Sequence, residues 1–169
     1  YASRLSRLTG VPITMTDRDP NYYVLFLDET DRRAAEDRLR QMVPGISPSS
    51  LRAILNLPRN QLCIVVAFSQ PGQSEYVKAI AVIRAEHPPL LRKSCIHEEL
   101  AQGMGLANDS RAARPSIFND DEEFGLLTTQ DELLLQMLYD RRLSSGMTPQ
   151  EAAPIAATIA TELTTAGAS

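Results

Sequence analysis

The stretch SCIHEELAQGMGLANDS, residues 94–110, places two adjacent glutamates, a glutamine and an asparagine around a pair of closely spaced glycines. Glu98 and Gln102 are one helical turn apart and share a face, so their side chains can hydrogen-bond to each other. Glu99 lies about 100° further round the helix. If both glutamates reach a partly dry cleft, repulsion and desolvation raise the pKa of one of them, giving an acid and a base without a metal. In a hydrolase of this kind Glu99 is the general base and Glu98 the general acid. The other reading, and the preferred one, is a non-catalytic binding site in which Glu98, Gln102 and Asn108 form a hydrogen-bonded plug between helix and loop, because adjacent helical glutamates are mostly solvated.

No cofactor is expected. Amide oxygens are poor zinc ligands and imidazoles are missing from these positions, although calcium or magnesium would accept such oxygens, with Asp109 or Glu99 contributing. His97 points off the motif face and suits a surface or capping role, and His87, ahead of two prolines, suits a loop. Neither has a partner at the spacing of a nucleophile–base pair. Gly103 and Gly105 mark a place where the chain must turn or come close to a neighbour.

The elements that must position these residues follow from pattern. Apolar Leu5 and Leu8 suit a helix ending at Gly10, and a short strand is expected over 11–16. The aromatic and branched run YYVLFLD, 22–28, predicts a central strand buried on both faces. Helical spacing over 31–42 stops at Pro44 and Gly45, and 47–58 reads as a connector with a turn of helix near Leu51. QLCIVVAFS and YVKAIAVIRA, separated by QPGQSE, predict an antiparallel hairpin. The motif helix follows, then a polar loop over 108–124 with an acidic cluster at 120–123, which is expected to be solvated. Thr129 and Glu132 carry a capping-box pattern, and Leu134 and Leu138 join Leu100, Met104 and Leu106 as core. Thr148, Pro149 and Glu151 start a helical tail over 148–169, bent at Pro154 and frayed at its end.

The chain's 169 residues, 43% of them apolar, suit one α/β (α+β) domain spanning 1–169. A net charge of −4 gives no basic field for a phosphate backbone, so no nucleic-acid partner is expected, and no apolar run reaches the length of a membrane span. The sequence starts at Tyr1, and a signal peptide is presumed removed. Cys63 and Cys95 fall on segments expected to pack together. They are read either as a disulfide, which would place the protein in the periplasm or outside the cell, or as two separately buried thiols.

Zincin peptidases place two histidines four residues apart on one helix, with a glutamate beside the first to take a proton from zinc-bound water; metzincins add a glycine and a third histidine. From Glu98 that pattern falls on Glu98, Glu99, Gln102, Gly105 and Asn108, with all three histidines replaced and the glutamate and glycine kept. SIF at 116–118 stands where such enzymes carry a methionine turn, and LTTQDELLLQMLYD at 127–140 looks like their next helix. The chain resembles a proteobacterial family, domain of unknown function 2927, with a degenerate metzincin-like motif. The resemblance implies a twisted mixed sheet, an active-site-type helix, C-terminal helices, and a cleft that takes an extended peptide or protein segment along a strand edge. The expected function is a non-catalytic peptide- or protein-binding module of the cell envelope, with a peptidase-like hydrolase as the alternative.

Overall fold

The computed structural model describes residues 1–119 and 123–166. It is a mixed α+β fold. Among the described residues a three-stranded sheet has the order β1-β3-β2, with β1 (Tyr22–Leu27) parallel to β3 (Tyr76–Arg84) and β2 (Cys63–Ser69) antiparallel to it. The β2–β3 hairpin forms where expected, around a turn with Gly72 at φ 77°.

The expected central strand is an edge strand. On β1 only Leu25 and Leu27 are buried, while Val24 and Phe26 are 36% and 47% exposed. A run of branched and aromatic residues suits any pleated surface, and it does not reveal whether both faces are covered. The centre belongs to β3, buried from Ala79 to Arg84. Ile80 and Val82 join Leu25, Leu27, Leu39, Leu51 and Ile54 in one core cluster. The alternate residues Ala79, Ala81 and Ile83 turn to the opposite face, where Ile83 meets Cys95 of α5 (Pro89–Gln102). Two alanines there leave room for a helix to lie close.

The expected helix over 31–42 is split into α2 (Glu29–Arg33) and α3 (Glu36–Met42), and the connector carries α4 (Pro48–Leu55), started by the Ser47 side chain. Arg32 and Arg84 are buried rather than solvated. Arg32 donates to the carbonyls of Ile54 and Leu55, and Arg84 to those of Leu57, Pro58 and Gln61, satisfying the end of α4 and the connector into β2. Residues 11–16 form no strand, and Met15 is 91% exposed. α1 (Ala2–Thr9) ends at a left-handed Gly10.

α6 (Thr129–Leu138) is capped by Thr128 and Asp131, one residue earlier than the expected Thr129 and Glu132. α7 (Pro149–Ala166) begins with the expected Thr148–Glu151 exchange and continues through Pro154. The fraying expected at the chain end and most of the 120–123 acidic cluster lie outside the described residues. No described helix is long and apolar enough to cross a membrane.

Candidate functional site

α5 starts on prolines, whose missing N–H groups cost nothing in a first helical turn, and runs across the sheet to Gly103. The Tyr22 hydroxyl donates to the Glu99 carbonyl at 2.5 Å, and a Cβ on Gly103 would lie 2.1 Å from that hydroxyl oxygen. Glycine is therefore required by close approach, and it ends the helix against β1. At Gly105, φ is 126° and the chain turns away.

Cys63 of β2 and Cys95 of α5 form a disulfide with a Cα–Cα distance of 5.9 Å. It pins the middle of α5 to the sheet. Because it closes a 32-residue separation, reducing it, or replacing both cysteines by serine, is expected to lower unfolding free energy by about 3 kcal/mol, read by urea unfolding.

Between β2 and α5 lies a cleft of about 730 Å³. Leu62, Ile64, Leu90 and Leu91 give it apolar walls; Glu98, Glu99, Gln102 and Asp109 give it a polar floor. Two of the three expected binding residues, Glu98 and Gln102, thus share one cleft with the catalytic candidate Glu99. Asn108 is exposed and does not line it. Gln102 instead donates to the carboxylate of Asp109 at 2.7 Å, so the link between helix and loop is made one residue later than expected.

Glu99 is 4% exposed, and its Oε2 is buried without a hydrogen-bond partner. Burial, then the charges of Glu98 and Asp109, push its carboxyl up to about 9, opposed by the backbone N–H of Val65 directed at it. Glu99 is therefore a neutral acid near pH 7. In an acid–base pair with the half-buried Glu98, Glu99 would be the member that holds its proton at neutral pH.

Cys63 Sγ and one carboxylate oxygen each from Glu98 and Glu99 lie within 4.8 Å of one another. The sulfur is committed to the disulfide and offers no thiolate, which removes one of the three donors.

His97, expected at the surface, is 6% exposed. Its ring stacks on Tyr1 at 4.0 Å, and its Nδ1 accepts from the Leu127 N–H. Burial, then Arg4 and Lys93, lower its pKa to about 4. A histidine at 6.5 in the unfolded chain binds a proton that the folded chain refuses. Its contribution is thus full above about pH 6.5 and is lost towards pH 4, amounting to about 3 kcal/mol. The measurement is the pH dependence of unfolding free energy, wild type minus His97→Gln.

Beneath the cleft, the turn carrying Ile117 and Phe118 is held by Asp131. This fully buried carboxylate accepts from Ser116 Oγ, the Ile117 and Thr128 N–H groups, and Thr128 Oγ1. Ile117 lines the cleft and Phe118 is in the core. Residues 1–158 match the family described as "Protein of unknown function (DUF2927)". The chain belongs to this family. No curated protein and no solved structure matches it.

Proposed function

We propose that this DUF2927 chain is a metzincin-like binding domain of the cell envelope that holds an extended peptide or protein segment along β2 without cleaving it. The observation that carries this reading is the outer edge of β2, which pairs with no strand among the described residues and meets α5 through the Val65 N–H directed at Glu99. Among the described residues β2 pairs with β3 only, so the Val65 N–H directed at Glu99 belongs to the edge facing the cleft. Unpaired strand edges bind extended chain through main-chain hydrogen bonds, with alternate side chains entering pockets.

The absence of cleavage is argued from residue chemistry. The three positions aligned with zinc-binding histidines are Glu98, Gln102 and Asn108, none of which supplies an imidazole. The disulfide supports an oxidising compartment, periplasmic or extracellular.

A second reading, a metal-independent hydrolase, draws on one observation: a protonated Glu99 beside Glu98 on the floor of an open cleft. The test is incubation of an unstructured protein with wild type and Glu99→Gln, followed by mass spectrometry and a binding titration. Saturable binding with intact substrate for both supports the binding domain. Cleavage by wild type that is lost in Glu99→Gln supports the hydrolase.

A further inference from the structure

Resting on the strand-edge reading, we infer that the segment bound by this cleft carries a basic side chain, lysine or arginine, whose cation sits among Glu98, Glu99 and Asp109. Three carboxyl groups converge here from two places in the chain. Glu98 and Glu99 come from α5, and Asp109 comes from the loop beyond Gly105, held inward by Gln102. Both Glu98 and Asp109 act electrostatically on Glu99, and no cationic side chain among the described residues is among the groups that shift it.

Among the described residues, the other groups directed at Glu99 are neutral. From β1, Tyr22 directs its hydroxyl to the Glu99 carbonyl; from β2, Val65 directs its N–H at the carboxyl; and the sulfur of Cys63 is in the disulfide. Glu99 Oε2 therefore stays a buried oxygen with no donor, on a side chain that is 4% exposed and lines the cleft. Buried polar atoms are almost always paired, and one left over at a cleft floor suits a donor brought by a ligand. An ammonium or guanidinium group supplies the donor that Glu99 Oε2 lacks and carries a charge opposite to that of a carboxylate.

A side chain suits this cleft better than a bare ion. The space, about 730 Å³, far exceeds the volume of one ion and suits a length of peptide. Leu62, Leu90 and Leu91 offer apolar wall for the alkyl stem of lysine or arginine. When the cation enters, Glu99 gives up its proton to solvent and becomes the carboxylate that pairs with it. Binding and proton release are thereby linked.

The experiment uses short blocked peptides of alternating threonine and valine with a central lysine, arginine, norleucine or glutamate. Each is titrated calorimetrically into the intact chain near neutral pH, in phosphate and in Tris, so that the difference in heat reports protons released. The lysine and arginine peptides are expected to bind about ten-fold or more tighter than the norleucine peptide, releasing about one proton each. Both effects disappear in Glu99→Gln, and the affinity advantage shrinks in Asp109→Asn, an exposed position that keeps the core intact. Equal affinity for lysine and norleucine overturns the inference while leaving the strand-edge reading in place. Failure of every peptide to bind overturns that reading and the inference with it. Stoichiometric binding of calcium or manganese chloride alone, with the same proton release, assigns the site to a metal ion and also overturns the inference.

Discussion

Replacing Asp131 with alanine is expected to cost about 4 kcal/mol of unfolding free energy, read by urea unfolding with a matching fall in melting temperature. The carboxylate is fully buried and collects Ser116 Oγ, the Ile117 and Thr128 N–H groups, and Thr128 Oγ1. Alanine removes the acceptor and leaves several donors buried without partners, which is the expensive way to lose a hydrogen bond. Asparagine is nearly the same size, but it replaces one acceptor oxygen with a donor that faces other donors, so Asp131→Asn should recover only part of the loss. The damage should also reach the cleft, because Ile117, hung from Asp131, is part of its lining. Unfolding within about 1 kcal/mol of wild type for Asp131→Ala would mean that the turn at residues 116–118 is held by something other than this carboxylate.

Glu99→Gln acts in the opposite direction. A glutamate at 4.5 in the unfolded chain and about 9 in the fold is ionised when unfolded and protonated when folded across that interval. The folded state therefore binds more protons, and stability falls as pH rises through the window. Glutamine carries no such burden. The variant is expected to be more stable than wild type by about 5 kcal/mol near pH 8, with the difference vanishing below about pH 4.5. Urea unfolding of both proteins across this range measures it. A constant difference, or none, would place the carboxylate in water. The trend differs from that of His97, whose contribution is lost as pH falls, so subtracting each variant from wild type separates the two groups.

The local elements were the most legible part of the chain. The β2–β3 hairpin announced itself through two branched runs around Pro71 and Gly72, and α5 through its proline start and glycine stop. Pattern failed where coverage by distant residues decides the outcome. YYVLFL reads as a central strand, yet what sits beside it is chosen by β3, whose alanines admit α5. Arg32 and Arg84 look like surface charges because the carbonyls they satisfy belong to another part of the chain. Helical spacing directs His97 outward but does not tell what lies there, and Tyr1 and Leu127 cover it.

The candidate site was legible along the helix and no further. Spacing brings Glu98, Glu99 and Gln102 to the cleft. It carries no information past Gly105, whose positive φ redirects the chain, and there Asp109 rather than Asn108 meets Gln102. The Cys63–Cys95 pairing was one of two open readings, and contact between β2 and α5 decides it. The proton on Glu99 depends on its depth first and on Glu98 and Asp109 second, and Asp109 arrives through the loop.

Titrating the isotope-labelled protein with the lysine-bearing strand peptide, while following backbone amide shifts and exchange, asks directly whether a segment lies along β2 and stays whole. The account predicts saturable shifts centred on the Cys63 and Val65 amides, slowed exchange at Val65 as its N–H passes from Glu99 to the peptide, and peptide recovered intact. Shifts confined to surfaces away from β2 and α5, or a peptide recovered in pieces, would contradict it.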